Sequence, residues 1–229
     1  MVAVAFHTIG CKVNHYESEA MMYLFKDKGY KVINFKKKAD IYIINSCTVT
    51  TAAARKSRKF ARRAHRRNPE AVVVMSGCYP QVSPSEVKKI EEIDLIIGTN
   101  HKKKVVELVE KEMNSEKEVL ITPYQELSDY EDLKIKTLRE TTRGYVKIEE
   151  GCNQFCSYCI IPYARGPVRS RGKNSVIKEI KNMVKNEVKE IVLTGIHLGA
   201  YGYDRGEKRA LIHLIEEIIK IQGLERLRL

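Results

Sequence analysis

Apolar runs and helical periodicities alternate along the first half of the chain. Val2 to Thr8 reads as a short apolar strand. Tyr16 to Lys28 carries Ala20, Met21, Leu24 and Phe25 at helical spacing, and Gly29 supplies a stop. Ile41 to Asn45 predicts a second strong strand, followed by a helix that ends at Asn68-Pro69. Ala71 to Ser76 and Leu95 to Gly98 read as a third and a fourth strand, with a further helix over His101 to Met113. This alternation predicts an α/β fold that begins with an open parallel sheet over residues 1–115. Residues 116–142 are charged and weakly periodic and read as a connector. Over residues 143–229 a new pattern starts: strand Tyr145 to Glu149, a loop, helix Ser175 to Asn186, strand Glu190 to Thr194, helix Ala210 to Ile221, and a strand opening at Leu224. These are βα repeats, the first part of a partial (βα) barrel whose functional loops follow its strands.

The loop after the first of these later strands runs Glu150-Gly151-Cys152-Asn153-Gln154-Phe155-Cys156-Ser157-Tyr158-Cys159. Thiolates at C-x3-C-x2-C spacing hold three irons of a cubic [4Fe-4S] cluster and leave the fourth without a protein ligand. An open iron chelates a small molecule through an amine and a carboxylate. In this arrangement that molecule is usually S-adenosylmethionine (SAM), and Tyr158, just before the third cysteine, resembles the aromatic that radical-SAM loops often carry beside the adenine. Zinc is the competing reading. A closed zinc site wants four ligands, commonly two close Cys pairs, and the next His, His197, lies 38 residues beyond Cys159.

The other cysteines share one kind of position. Cys11, Cys47 and Cys78 each lie just past the carboxyl end of a predicted parallel strand. Ligands of open α/β sheets bind outside those ends. The three thiols can therefore meet at one point and hold a second cluster, Gly10 and Gly77 allowing sharp turns. The bland alternative is three separate buried cysteines.

Charge adds a partner to this picture. The net charge is +12, and residues 1–68 alone carry 15 Lys and Arg against 4 acids. The densest run is 55–67, with nine basic or His positions in 13 residues and no acid. On a helix Arg55, Arg58, Lys59, Arg62 and Arg66 share a face that can neutralise RNA phosphates. An ordinary solvated face is the alternative. No apolar stretch reaches the length of a membrane span, and the first residues read as a buried strand rather than a leader. Six cysteines without a secretion signal point to a reducing, cytoplasmic setting.

Taken together, the motifs resemble the radical-SAM methylthiotransferase family over the whole chain. The resemblance rests on Gly10-Cys11-Lys12-Val13-Asn14 with Tyr16-Glu17-Ser18-Glu19, on Asn45-Ser46-Cys47-Thr48-Val49, on Gly77-Cys78-Tyr79, and on the run Glu150 to Gly166. Gly10 to Glu19 and Thr194 to Gly199 are most similar to the branch that acts on N6-threonylcarbamoyladenosine, 3′ of the anticodon in tRNA. The branch for isopentenyladenosine typically has Gly-Cys-Gln-Met-Asn at the first motif, and the ribosomal-protein branch Gly-Cys-Pro-Lys-Asn.

The resemblance implies two [4Fe-4S] clusters and SAM. Cys152, Cys156 and Cys159 would hold the cluster that cleaves SAM to a 5′-deoxyadenosyl radical, which abstracts hydrogen from C2 of the adenine. Cys11, Cys47 and Cys78 would hold an auxiliary cluster carrying the sulfur, and a second SAM would supply the methyl group. Thr194 and Gly195 would support SAM, although a plain Gly-Gly-Glu motif is missing. The implied partners are the tRNA anticodon stem-loop and an electron donor such as a flavodoxin or ferredoxin; no sulfur donor is indicated, and no side chain stands out as an acid–base catalyst. Arg165 reads equally well as a loop salt bridge, and His197 as a satisfied polar residue. The family's later barrel strands and its C-terminal RNA-binding β-domain are absent, so the chain reads as C-terminally truncated. The rival readings are methylthiolation of isopentenyladenosine tRNA or of a ribosomal protein, a thiol-based sulfur carrier, and a non-catalytic zinc-containing RNA-binding module.

Overall fold

A computed structural model of the chain describes residues 1–112, 118–133 and 142–229. They form two compact units, Met1–Pro123 and Tyr124–Leu229. The first unit runs β1 (Ala3–Thr8), α1 (Lys12–Asp27), β2 (Lys31–Ile33), β3 (Ile41–Ser46), α2 (Thr51–Arg67), β4 (Val72–Gly77), α3 (Cys78–Val82), α4 (Pro84–Lys88), β5 (Leu95–Ile97), α5 (Val105–Glu112) and β6 (Glu118–Leu120). Its strands form one parallel sheet in the order β2-β1-β3-β4-β5-β6.

The central strand β3 is buried at every position, as its unbroken apolar run requires of a strand covered on both faces. Its side chains alternate. Ile41 and Ile43 join Met21 and Phe25 of α1 and Val105 and Val109 of α5 on one face. Tyr42 and Ile44 join Ala54, Ala61 and Ala64 of α2 on the other. Helix α2 fully buries only Ala54, Ser57, Ala61 and Ala64, and the partly buried Phe60 packs against the same cluster. Thr50 caps it by accepting the Ala53 N–H at 3.2 Å.

The elements expected from periodicity are present, with three differences of position. Helix α1 begins at Lys12 rather than Tyr16, because Asn14 turns its side chain into the sheet, donating to the Ser46 carbonyl at 2.9 Å, and stays helical. The helix expected from His101 breaks into a 3-10 turn over Lys102–Lys104 before α5, since His101 takes φ of 68°. Met113 lies outside the described residues. Within the expected connector, Glu118–Leu120 pairs with β5 as an edge strand, and residues from Tyr124 onward belong to the second unit. Such short edge strands carry too few residues to show a period.

The second unit contains β7 (Arg143–Lys147), β8 (Glu149–Glu150), α6 (Ile161–Arg165), β9 (Arg169–Ser170), α7 (Lys173–Lys185), β10 (Glu190–Thr194), α8 (Ala210–Ile218) and β11 (Arg226–Arg228). Strands β11-β10-β7 form a parallel sheet, covered by Val176, Ile180 and Met183 of α7 and Leu214 and Ile218 of α8. The strand expected over Tyr145 to Glu149 is split. Ile148 still donates to the Thr194 carbonyl at 2.9 Å, and the chain then leaves β10 to pair antiparallel with β9. Among the described residues no helix is long and apolar enough to cross a membrane.

One half-buried titratable group in the first unit, His7, gives a test of its packing. His7 stacks on Phe60 of α2 with centroids 3.4 Å apart and leans on Phe35 at 5.2 Å. Burial first, and the Arg63 charge second, lower its pKa to about 4. A depressed imidazole contributes stability that is complete above about pH 6.5 and lost as pH falls toward 4. His7→Phe keeps the stack and cannot ionise. Melting curves should therefore show a smaller fall in Tm between pH 6.5 and 4 for this variant than for the wild type.

Candidate metal centres

In the first sheet the order β2-β1-β3 reverses the winding direction between β1 and β3, so α1 and α2 pass to opposite faces and a crevice opens at the carboxyl ends. Cys11 and Cys47 leave these two strands. Ile9 donates to the Asn45 carbonyl at 2.9 Å, carrying the pairing to within two residues of Cys11. A Cβ built on Gly10 would stand 3.1 Å from the Cys47 Cβ. Ser46 and Gly77 are register partners, so Cys47 and Cys78 exit side by side from adjacent strands. Gly77 has φ of 98°, and a Cβ there would meet the Asn45 Oδ1 and the Ser46 carbonyl at 2.6 Å. The structure thus brings the three sequence-predicted cysteines to one end of one sheet.

A buried amide network underlies them. Asn14 Nδ2 donates to the Ser46 carbonyl, and Asn45 Nδ2 donates to the Asn14 carbonyl at 2.9 Å and to Ser18 Oγ at 3.1 Å. Thr8 Oγ1 donates to the same Ser18 hydroxyl at 2.8 Å, and the Cys11 thiol donates to Asn14 Oδ1 at 3.2 Å. One helical turn on, Glu17 and Lys102 form a fully buried pair at 3.5 Å. The polar motif Asn14 to Ser18 is therefore internal scaffolding of this crevice.

The second trio lies in an irregular loop at the end of β8. Its ends are fixed and its middle is open. Cys152 N donates to the Gly166 carbonyl at 3.0 Å, Asn153 Oδ1 accepts the Val168 N–H at 3.0 Å, and Cys159 N donates to the Cys156 carbonyl at 2.9 Å. Gly151 has φ of 86°, and a Cβ would fall 1.8 Å from the Pro167 carbonyl oxygen, so only glycine fits. Beneath the loop Glu150 accepts from Arg165 at 2.6 Å and from Lys147 at 2.7 Å, all three buried. Sequence reading left Arg165 undecided and did not single out Glu150 as its partner or Lys147 as the second cation on that carboxylate; Arg165 lies 15 residues from Glu150, beyond the reach of any periodic signal.

Thr194 and Gly195 stand at the carboxyl end of β10, beside the start of the loop. The Thr194 carbonyl is taken by Ile148, and its side chain is buried. Gly195 leaves room for Glu149, whose Oε2 would lie 2.7 Å from a Cβ and accepts the His197 N–H at 2.7 Å. Glu149 Oε1 is buried without a hydrogen-bond partner. Tyr158 is 89% exposed and makes no ring contact among the described residues.

On α2, Arg55, Arg58, Lys59, Arg62 and Arg66 line one groove of about 430 Å³. Arg58 donates to the Tyr79 hydroxyl at 2.6 Å, beside Cys78, and pairs with Glu86 at 3.9 Å; Arg62 pairs with Glu92 at 3.6 Å. Arg55, Lys59 and Arg66 have no acidic partner among the described residues.

All six cysteines are free thiols. Among the described residues no three His, Cys, Asp or Glu side chains converge on a single-ion site. Each thiolate of such a trio would take its own iron at one corner of a [4Fe-4S] cubane. Soft donors in trios, on glycine-turned loops at strand ends, suit the cubane.

Residues 3–98 match the uncharacterized protein family UPF0004, and residues 146–227 match the Radical SAM superfamily. The chain is 43% identical over 230 residues to the threonylcarbamoyladenosine tRNA methylthiotransferase MtaB of Bacillus subtilis (strain 168), covering 100% of this chain and 51% of that protein. It is 33% identical over 234 residues to the tRNA-2-methylthio-N(6)-dimethylallyladenosine synthase of Wolbachia pipientis subsp. Culex pipiens (strain wPip), covering 100% of this chain and 53% of that protein. The chain thus spans about half the length of the curated relatives it matches. In fold it is similar to the radical S-adenosylmethionine methyltransferase TsrM of Kitasatospora setae, with a TM-score of 0.66 at 14% identity, over 96% of this chain and 51% of that one.

Burial raises the Glu149 carboxyl to about 7, with the neighbouring Glu150 charge adding to it against the His197 N–H. The neutral acid is the form the fold favours, so this group's stabilisation is complete below about pH 4.5 and lost as pH rises to about 7. Glu149→Gln should be more stable than the wild type at pH 8, by about 1–3 kcal/mol, with the gap closing by about pH 5 in urea titrations.

Proposed function

We propose that this chain, which is similar over its whole length to methylthiotransferases about twice as long, supplies both cluster-holding loops of a radical-SAM enzyme that converts N6-threonylcarbamoyladenosine, 3′ of the anticodon in tRNA, to its 2-methylthio derivative. The observation that carries this reading is the sorting of six free cysteines into two trios, Cys11, Cys47 and Cys78 past the carboxyl ends of parallel strands and Cys152, Cys156 and Cys159 in the single loop after β8. The higher identity to the threonylcarbamoyladenosine relative than to the dimethylallyladenosine relative, 43% against 33%, favours that base.

Cys152, Cys156 and Cys159 would hold one [4Fe-4S] cluster and Cys11, Cys47 and Cys78 the other. Bound there, the clusters and SAM would supply the radical, the sulfur and the methyl group, with electrons from an external one-electron donor. The chain's own part is binding and alignment. Gly151 lets the first loop leave its strand, and the Glu150–Arg165–Lys147 network keeps that loop from collapsing. Tyr158 offers an exposed ring to an adenine, and Thr194 and Gly195 form the adjoining strand end. Asn14 and Asn45 space the strand ends that carry Cys11, Cys47 and Cys78. The groove on α2 would take RNA phosphates, mainly through Arg55, Lys59 and Arg66.

Iron and sulfide content of the anaerobically reconstituted chain tests the two-cluster reading. About eight irons per chain are expected, falling to about four when Cys152, Cys156 and Cys159 are all alanine. About four irons, lost entirely in that variant, would leave the first unit's cysteines without a cluster. Zinc in place of iron would overturn the reading. For the groove, Arg55→Glu, Lys59→Glu and Arg66→Glu together should weaken binding of an anticodon stem-loop RNA and lower the slope of log K against log salt by about 2–3. An unchanged slope would remove α2 from the RNA interface.

A further inference from the structure

The loop that carries the second trio also carries a cluster of aromatic rings that packing does not explain. Phe155 immediately precedes Cys156 and is 47% exposed; Tyr163, on α6, is 57% exposed. Their rings meet edge to face at 5.8 Å and 81°. Tyr124 meets Phe155 from the other side at 5.8 Å and 67°. The cluster is held from below. Leu127, one turn after Tyr124, is buried against Gly166, where a Cβ would come within 2.8 Å of its Cδ1. Buried Pro162 starts the helix that bears Tyr163.

Phe155 stands in this cluster at a cost. Its φ is 45°, a left-handed conformation that an aromatic residue avoids and glycine would accept freely. Strain of this kind persists only where the surroundings enforce it. A large apolar ring, half in water and on strained backbone between two candidate iron ligands, gains little from the fold itself. Its use is on the outside.

We propose that Phe155, Tyr163 and Tyr124 form a stacking platform for the purine base that the enzyme modifies. The inference rests on the tRNA-modifying reading above and deepens it by assigning residues to the substrate. Aromatic faces accept a base through its π surface whatever its hydrogen-bonding edges carry. The platform adjoins Cys156, so a base stacked there stands at the loop that would hold the open iron. The chain's charge of +12 supplies the attraction for the rest of the RNA. Tyr158, on the same loop, is a separate ring outside this contact set.

The test compares two RNAs on the anaerobically reconstituted chain by fluorescence anisotropy at one salt concentration. One is an anticodon stem-loop with adenosine 3′ of the anticodon; the other is the same RNA with an abasic site at that position. The wild type should prefer the base-bearing RNA by about tenfold. Phe155→Leu and Tyr163→Leu keep apolar bulk and remove the π face. Each should cut that preference to about threefold or less, with unchanged affinity for the abasic RNA and unchanged iron content. Phe155→Trp should retain the preference. Leucine variants that keep full preference, or that weaken both RNAs equally or lose iron, would overturn the platform and leave these rings as loop packing. A wild type that binds both RNAs equally overturns it as well. Binding of neither RNA would sink the tRNA reading itself, and the platform with it.

Discussion

A loop that turns its thiols outward has no core of its own, so its shape must come from below. In the second unit that support is the Glu150 carboxylate, shared between Arg165 and Lys147 and sealed from water. Burying three charges is expensive, and an apolar cluster of the same volume would often be as stable. An apolar cluster, however, would not fix the directions of the chain on both sides of the loop. Glu150 ends the strand that enters it, Arg165 ends the helix that leaves it, and one carboxylate ties the two. Arg169 extends the tie by donating to the Arg165 carbonyl at 2.7 Å. The irregular backbone between Gly151 and Ile160 inherits its position from these contacts.

The first unit solves the same problem with neutral groups. Its cysteines stand at the ends of separate strands, so what must be fixed is the spacing of strands. Two asparagines cross-link α1 to β3, each side chain satisfied by main chain of the other element. Amides suit this position because they donate and accept at once, and a parallel sheet end leaves both kinds of group exposed. The loop needs a strong directional anchor; the sheet end needs many short ties.

Both supports lie away from the surfaces that would meet substrate. Those surfaces are of opposite character. The α2 groove is purely cationic, and the rings around Phe155 are purely aromatic. Phosphates and bases are the two faces of a nucleic acid, and under the proposals above the chain would present one kind of side chain to each.

The strands of the first sheet, the basic helix and the two cysteine trios were legible in the chain because each is written locally. Ile41 to Ile44 is an unbroken apolar run, α2 sets small residues and cations at helical spacing, and C-x3-C-x2-C is a spacing. Long, periodic or clustered signals survive without a fold. Short edge strands such as Glu118–Leu120, the split of the first barrel strand at Ile148, and the shift of α1 to Lys12 were not legible, since each depends on a hydrogen bond to a residue far along the chain. The same holds for chemistry. Which residue types gather was set by the order of amino acids. That Glu149 is buried and half-satisfied, that Arg58 braces Tyr79, and that Phe155 and Tyr163 share one exposed cluster were decided by the tertiary structure, because burial and contact are properties of the folded neighbourhood.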